Sequence, residues 1–73
     1  MIGKFAKLTR WRLLRSSLGS ENGTQEIINT GEIILILSEI TTSRDVSYIK
    51  ALKGNAVGYI YWYYSLSAPF KII

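Results

Sequence analysis

The 73-residue chain contains no cysteine and no histidine, and these two absences exclude more chemistry than any motif in it suggests. Without thiols there is no disulfide framework, and redox conditions leave the chain indifferent. Without imidazole the Ser-His-Asp and Cys-His arrangements cannot form, and zinc loses its usual donors. Proline occurs once, at Pro69, where it predicts a break before a short terminal edge strand. Long apolar runs are missing too. The longest aliphatic run, residues 33–37, covers five positions, whereas a membrane-spanning helix needs about 20. Cations at Lys4, Lys7, Arg10, Arg12 and Arg15 stand where a signal peptide would carry its apolar block. The sequence therefore predicts neither membrane insertion nor export, and a cytoplasmic location, or a virion or host cytoplasm if the source is viral.

Carboxylates are few and scattered. Glu21, Glu26, Glu32, Glu39 and Asp45 show no spacing that forces two of them into one pocket as a general acid and base. Residues 19–23, reading GSENG, resemble a phosphate loop but lack its Lys-Ser/Thr ending and the following helix. The expectation is a protein that is not an enzyme, with no cofactor, metal site or catalytic residue. A domain this small buries only about 60–65 % of its unfolded surface. With disulfides excluded and metal sites made improbable by composition, self-association or docking onto a partner is the remaining route to added stability.

What is present is β-forming and unevenly charged. The net charge is +4. Residues 1–15 hold five of the nine cations and no acid, while residues 16–73 hold four cations against five acids. The text divides a single domain into a basic N-terminal strand or arm over residues 1–15, an exposed loop over 16–25, and a barrel body over 26–73. In residues 7–15, KLTRWRLLR, period two places Trp11 and Leu13 on one face and Arg10 and Arg12 on the other; a helix over 4–14 is the competing reading. Residues 16–25 are rich in turn formers, and Asn22-Gly23 suits a type I′ turn. Residues 33–37 form the strongest strand. Ile34, Ile36 and Ile40 stand against Ile33, Leu35 and Leu37, so both faces are apolar and one needs a cover: the arm, the loop or a second chain. Residues 41–45 read as a polar connection. A strand over 46–53 and another over 56–64, joined at Gly54-Asn55, form an antiparallel hairpin.

These features resemble the SH3 fold over residues 28–65. The resemblance rests on Gly31-Glu32 before an apolar strand, the Gly54-Asn55 turn, and Gly58 followed by two strand residues. It implies a small all-β barrel of about five antiparallel strands, with Ile28, Ile34, Ile36, Ala51 and Ile60 facing the core. The peptide groove departs from the family pattern. For the family's ALYDY-type segment the chain offers LTRWRLL or nothing, and Tyr48 and Ile49 replace its paired tryptophans. Tyr61 replaces its proline, Tyr64 matches a groove tyrosine, and the acidic loop residues are reduced to Glu21 and Glu26. Proline-peptide capture is therefore not indicated.

Two surfaces remain as candidates. Tyr59, Tyr61, Trp62, Tyr63 and Tyr64 crowd into six positions, and a strand can turn only half of them to one face. If Ile60 and Trp62 point inward, then Tyr59, Tyr61 and Tyr63 form an outer stripe, which either packs across strands or anchors a partner. With Tyr48 added, Tyr48, Tyr59, Tyr61, Trp62, Tyr63 and Tyr64 are the candidate partner-binding residues. The preferred expectation is a non-enzymatic SH3-like protein-interaction or assembly module, whose short, isoleucine- and tyrosine-rich composition suits a small phage or bacterial accessory protein and whose partner is another protein or a second copy. The alternative is nucleic-acid binding through Lys4, Lys7, Arg10, Arg12 and Arg15, with Tyr61 or Trp62 stacking on bases.

Overall fold

The structure, a computed structural model, describes residues 2–16 and 25–73. Among these residues there is no helix, and eight strands form one curled antiparallel sheet, a half-barrel. In chain order the strands are β1 (Phe5–Leu8), β2 (Arg12–Arg15), β3 (Gln25–Ile28), β4 (Ile33–Ile36), β5 (Thr41–Ser43), β6 (Val46–Lys53), β7 (Ala56–Tyr63) and β8 (Phe70–Ile72). Across the sheet the order is β3-β2-β7-β6-β4-β1-β8, with β5 added beside the first half of β6.

The centre of the sheet follows the alternation of its sequence. In β6 Ser47, Ile49 and Ala51 point inward, while Val46, Tyr48 and Lys50 point outward. In β7 Gly58, Ile60 and Trp62 point inward, and Tyr59, Tyr61 and Tyr63 outward. The register places Ile49 opposite Ile60 and Ala51 opposite Gly58, and Lys53 opposite Ala56 closes the hairpin through Gly54, whose φ of 60° suits glycine. Ala6, Leu8, Leu14, Ile28, Ile34, Ile36 and Phe70 complete the core. Burying one such leucine or isoleucine contributes about 1.5–3 kcal/mol. The buried Ser47 hydroxyl is paired with Thr42 Oγ1 at 2.8 Å, as a buried hydroxyl requires.

Three expectations need correction. The count is eight strands rather than about five: residues 7–15 are divided between β1 and β2, and Gln25–Ile28 and Thr41–Ser43 are strands of their own. The chain leaves β1 after Leu8, where Thr9 N–H donates to Pro69 O (2.8 Å), and re-enters the sheet as β2 on the far side of β7. The inward residue of β2 is Leu14, only 3 % exposed, whereas Trp11 is 56 % exposed. Gly58 is the physical reason: a Cβ there would lie 2.8 Å from Leu14 Cγ, so Leu14 occupies the space its missing side chain leaves. Residues 41–45 are not merely a connection. Thr41–Ser43 pairs with β6 through a tight turn in which Arg44 adopts φ 57°.

In β4, Ile34 and Ile36 are buried, but Ile33 is half exposed, and Ile40, beyond the strand, is also exposed. The arm extends the sheet beside β4 instead of covering its outer face, since Phe5 pairs with Leu35 and Lys7 with Ile33. The Asn22-Gly23 turn and Glu21 lie outside the described residues.

Glu32 shows what the Gly31-Glu32 pair does in this chain. Gly31, at φ 91°, turns the chain from β3 into β4. The Glu32 carboxylate accepts the Asn29 backbone N–H at 2.6 Å, and Glu32 N–H donates to Asn29 O at 3.1 Å. Lys53 Nζ, from the β6–β7 end, stands 3.3 Å from the same carboxylate and 3.7 Å from Glu26. The Asn29 hydrogen bond, helped by Lys53 and opposed by partial desolvation, holds Glu32 below the usual glutamate range.

Candidate partner-binding cleft

Leu14 packs on the inward side of Gly58, so β2 is laid against β7, with Arg15 opposite Tyr59. Its neighbours on the outward side then face the tyrosine stripe. The result is an open cleft of about 470 Å³, walled on one side by Trp11, Arg12, Leu13 and Arg15 and on the other by Val46, Tyr61 and Tyr63, with Trp62 also lining it.

The tyrosines are ordered by packing on each other. Tyr48 stands opposite Tyr61, their ring centroids 5.4 Å apart at 36°, and meets Tyr59 edge-on at 6.2 Å. The Arg15 guanidinium lies 5.7 Å from the centre of the Tyr61 ring, within cation–π range. Lys50 sits opposite Tyr59 on the other flank, so Tyr59 has Arg15 on one side and Lys50 on the other. Arg12 Nη1 donates to Trp11 O at 2.9 Å, while the Arg12 Nε–H is buried without an acceptor among the described residues.

The structure sorts the candidate residues. Tyr61 and Tyr63 line the cleft, and Tyr48 and Tyr59 flank it on the same face, with Tyr48 packed on Tyr61. Tyr64 is exposed just beyond β7, its N–H donating to Asp45 O at 3.0 Å. Trp62 belongs to the core: it is 6 % exposed, and its ring meets Phe70 edge-on at 5.6 Å. The basic set is divided. Arg12 and Arg15 reach the cleft, and Arg10 turns to the Ser67 carbonyl. Lys7 is on β1, three strands from β7 in the sheet order, and Lys4 immediately precedes that strand. Trp11 and Leu13 were missed as lining residues because their alternation suggested the core. The signal was available in Gly58, whose absent side chain calls for a large partner of the opposite parity, Leu14.

The chain matches no family model, no curated protein and no solved structure.

Proposed function

We propose that this chain is a non-enzymatic, SH3-like protein-interaction module that docks its partner in the cleft between β2 and β7. The observation that carries this reading is the convergence of two separated segments, residues 11–15 and 61–63, on one open cleft with exposed aromatic walls. Trp11 and Tyr63 are 56 % and 66 % exposed, and tryptophan and tyrosine are among the residues enriched at the energetic centres of protein interfaces. Support for the SH3-like part comes from the core: Ile28, Ile34, Ile36, Ala51 and Ile60, the five positions the resemblance turns inward, are all at most 1 % exposed. The segment standing where the family carries its groove motif also contributes a cleft wall. Nucleic-acid binding draws less support, because Lys4 and Lys7 are set apart from Arg12 and Arg15 and the Trp62 ring is packed inside.

Selection of binders from a random peptide library on the immobilised protein tests the proposal. Selected peptides should lose most of their affinity for a Trp11→Ala/Tyr63→Ala double variant. A library that yields no peptide, or peptides indifferent to both substitutions, would overturn it.

A further inference from the structure

The cleft is unusual in the sign of its charge. Two arginines line it and no lining residue is acidic; Asp45 precedes Val46 in the β5–β6 turn and is not among the lining residues. A basic peptide would be repelled here, and so would a methylated lysine, although aromatic walls alone would suit either. Arg12 and Arg15 are three residues apart on β2, so their side chains leave opposite faces of the strand, yet both line the cleft. An extended segment with several carboxylates, such as a polyproline II peptide with an acidic residue at each turn, can offer one to each. Arg15 is held over the Tyr61 ring, and stacking of that kind leaves the guanidinium edge able to fork a carboxylate. Arg12 spends Nη1 on Trp11 O and has its Nε buried, which leaves Nη2 for a second carboxylate. Between them, Trp11 and Tyr63 offer exposed ring surface to the intervening apolar residues.

From this we infer that the partner segment is acidic and extended, with carboxylates that pair with Arg12 and Arg15 while its apolar side chains rest on Trp11 and Tyr63. The inference rests on the reading of the cleft as a protein-docking site and names the chemistry of what docks. A single-stranded nucleic acid fits less well. It needs a long basic track and free ring faces, whereas Lys7 and Lys71 lie together on β1 and β8, away from β7, and Tyr48, Tyr59 and Tyr61 already pack on one another.

The test titrates the intact protein, observed by two-dimensional NMR, with four probes. They are the blocked peptide Glu-Pro-Leu-Glu-Pro-Leu-Glu, its twins carrying Gln or Lys in place of Glu, and a polythymidylate strand of about a dozen nucleotides. The acidic peptide should bind most tightly, shift the Trp11 indole and Tyr63 signals, and weaken as salt is added. Arg12→Glu/Arg15→Glu should weaken it about tenfold or more. Lys7→Glu/Lys71→Glu, which makes the same change in net charge, should leave affinity within about threefold. The spectrum of each variant reports its fold. Should the glutamate pair unfold the chain, Arg12→Lys/Arg15→Lys, which keeps the charge and removes the fork, should still weaken binding by about threefold or more, and undiminished affinity would refute the pairing. Equal losses from the two charge reversals would reduce the effect to bulk attraction and overturn the inference. Tighter binding of the Gln or Lys peptide at the same signals would overturn the acidic partner and leave the docking site standing. Tighter binding of polythymidylate would replace the peptide by nucleic acid, and no shift at the cleft with any probe would overturn both readings.

Discussion

Replacing Gly58 with alanine adds one methyl group at the point where β2 crosses β7. A Cβ at this position would stand 2.5 Å from Arg15 O, 2.8 Å from Leu14 Cγ and 3.1 Å from the Arg15 carbonyl carbon. Gly58 is outside the positive-φ region, so its backbone geometry costs alanine nothing. Leu14 can rotate only into a packed core, and Arg15 O is backbone. Strands β2 and β7 must therefore part by roughly an ångström to restore ordinary contact. Overpacking of this kind costs about 1–3 kcal/mol, and the reduced entropy of the unfolded chain returns about 0.4–1 kcal/mol. The expected net loss is about 1–2 kcal/mol, or ~4–16 °C in Tm for a domain of this size. Urea unfolding followed by tryptophan fluorescence measures it. The same shift moves Arg15 off Tyr61, so the signals of the cleft residues should change while those at the β1–β8 pairing do not. Leu14→Ala alone should cost about 2–5 kcal/mol. Combined with Gly58→Ala it should cost less than the sum, because the new methyl group enters the space the leucine vacates. An alanine variant with the wild-type midpoint and unchanged Arg15 and Tyr61 signals would refute the account of why β2 lies where it does.

Further expectations follow from the turns and the core. The folded-state pKa of Glu32 is depressed by the Asn29 N–H and by Lys53, so its contribution is complete above the unfolded value near 4.5 and is lost as the pH falls through the lower folded value. Glu32→Gln should flatten the acid limb of a stability profile measured by urea midpoints, and a wild-type Glu32 that titrates at or above 4.5 by NMR would contradict the arrangement. Arg44 adopts φ 57°, a conformation that costs a non-glycine residue about 1 kcal/mol. Arg44→Gly should thus raise stability by about 0.5 kcal/mol after the entropy of the extra glycine is counted, and a lower urea midpoint would count against strain in that turn. Ile60 is fully buried opposite Ile49, so Ile60→Ala should cost about 2–5 kcal/mol in chemical denaturation, whereas Val57→Ala, on the exposed face of the same strand, should change stability by about 0.5 kcal/mol or less.

The β6–β7 hairpin was legible because each residue there obeys one local rule. Inward and outward positions alternate without interruption, and Gly54 marks the reversal. The outward tyrosines and inward Ile60 followed from the same alternation. The first fifteen residues were not legible in that way. Their alternation runs through a point where the chain leaves the sheet, so KLTRWRLLR reads as one strand although its halves pair with different neighbours. Similarly, Thr41–Ser43 is polar and exposed throughout, and its strand character comes only from the free edge of β6 beside it.

The chain's composition and periodicity alone determined that it is all-β, which residues of its central hairpin enter the core, and which catalytic chemistries lack their residues. Tertiary structure decided that Arg12 and Arg15 belong with the tyrosines while Lys4 and Lys7 do not, and that Trp11 faces the cleft while Trp62 faces the core. The reason is physical: periodicity assigns a residue to a face of its own strand, but which strand lies alongside depends on contacts distant in sequence, here the fit of Leu14 over the bare Cα of Gly58.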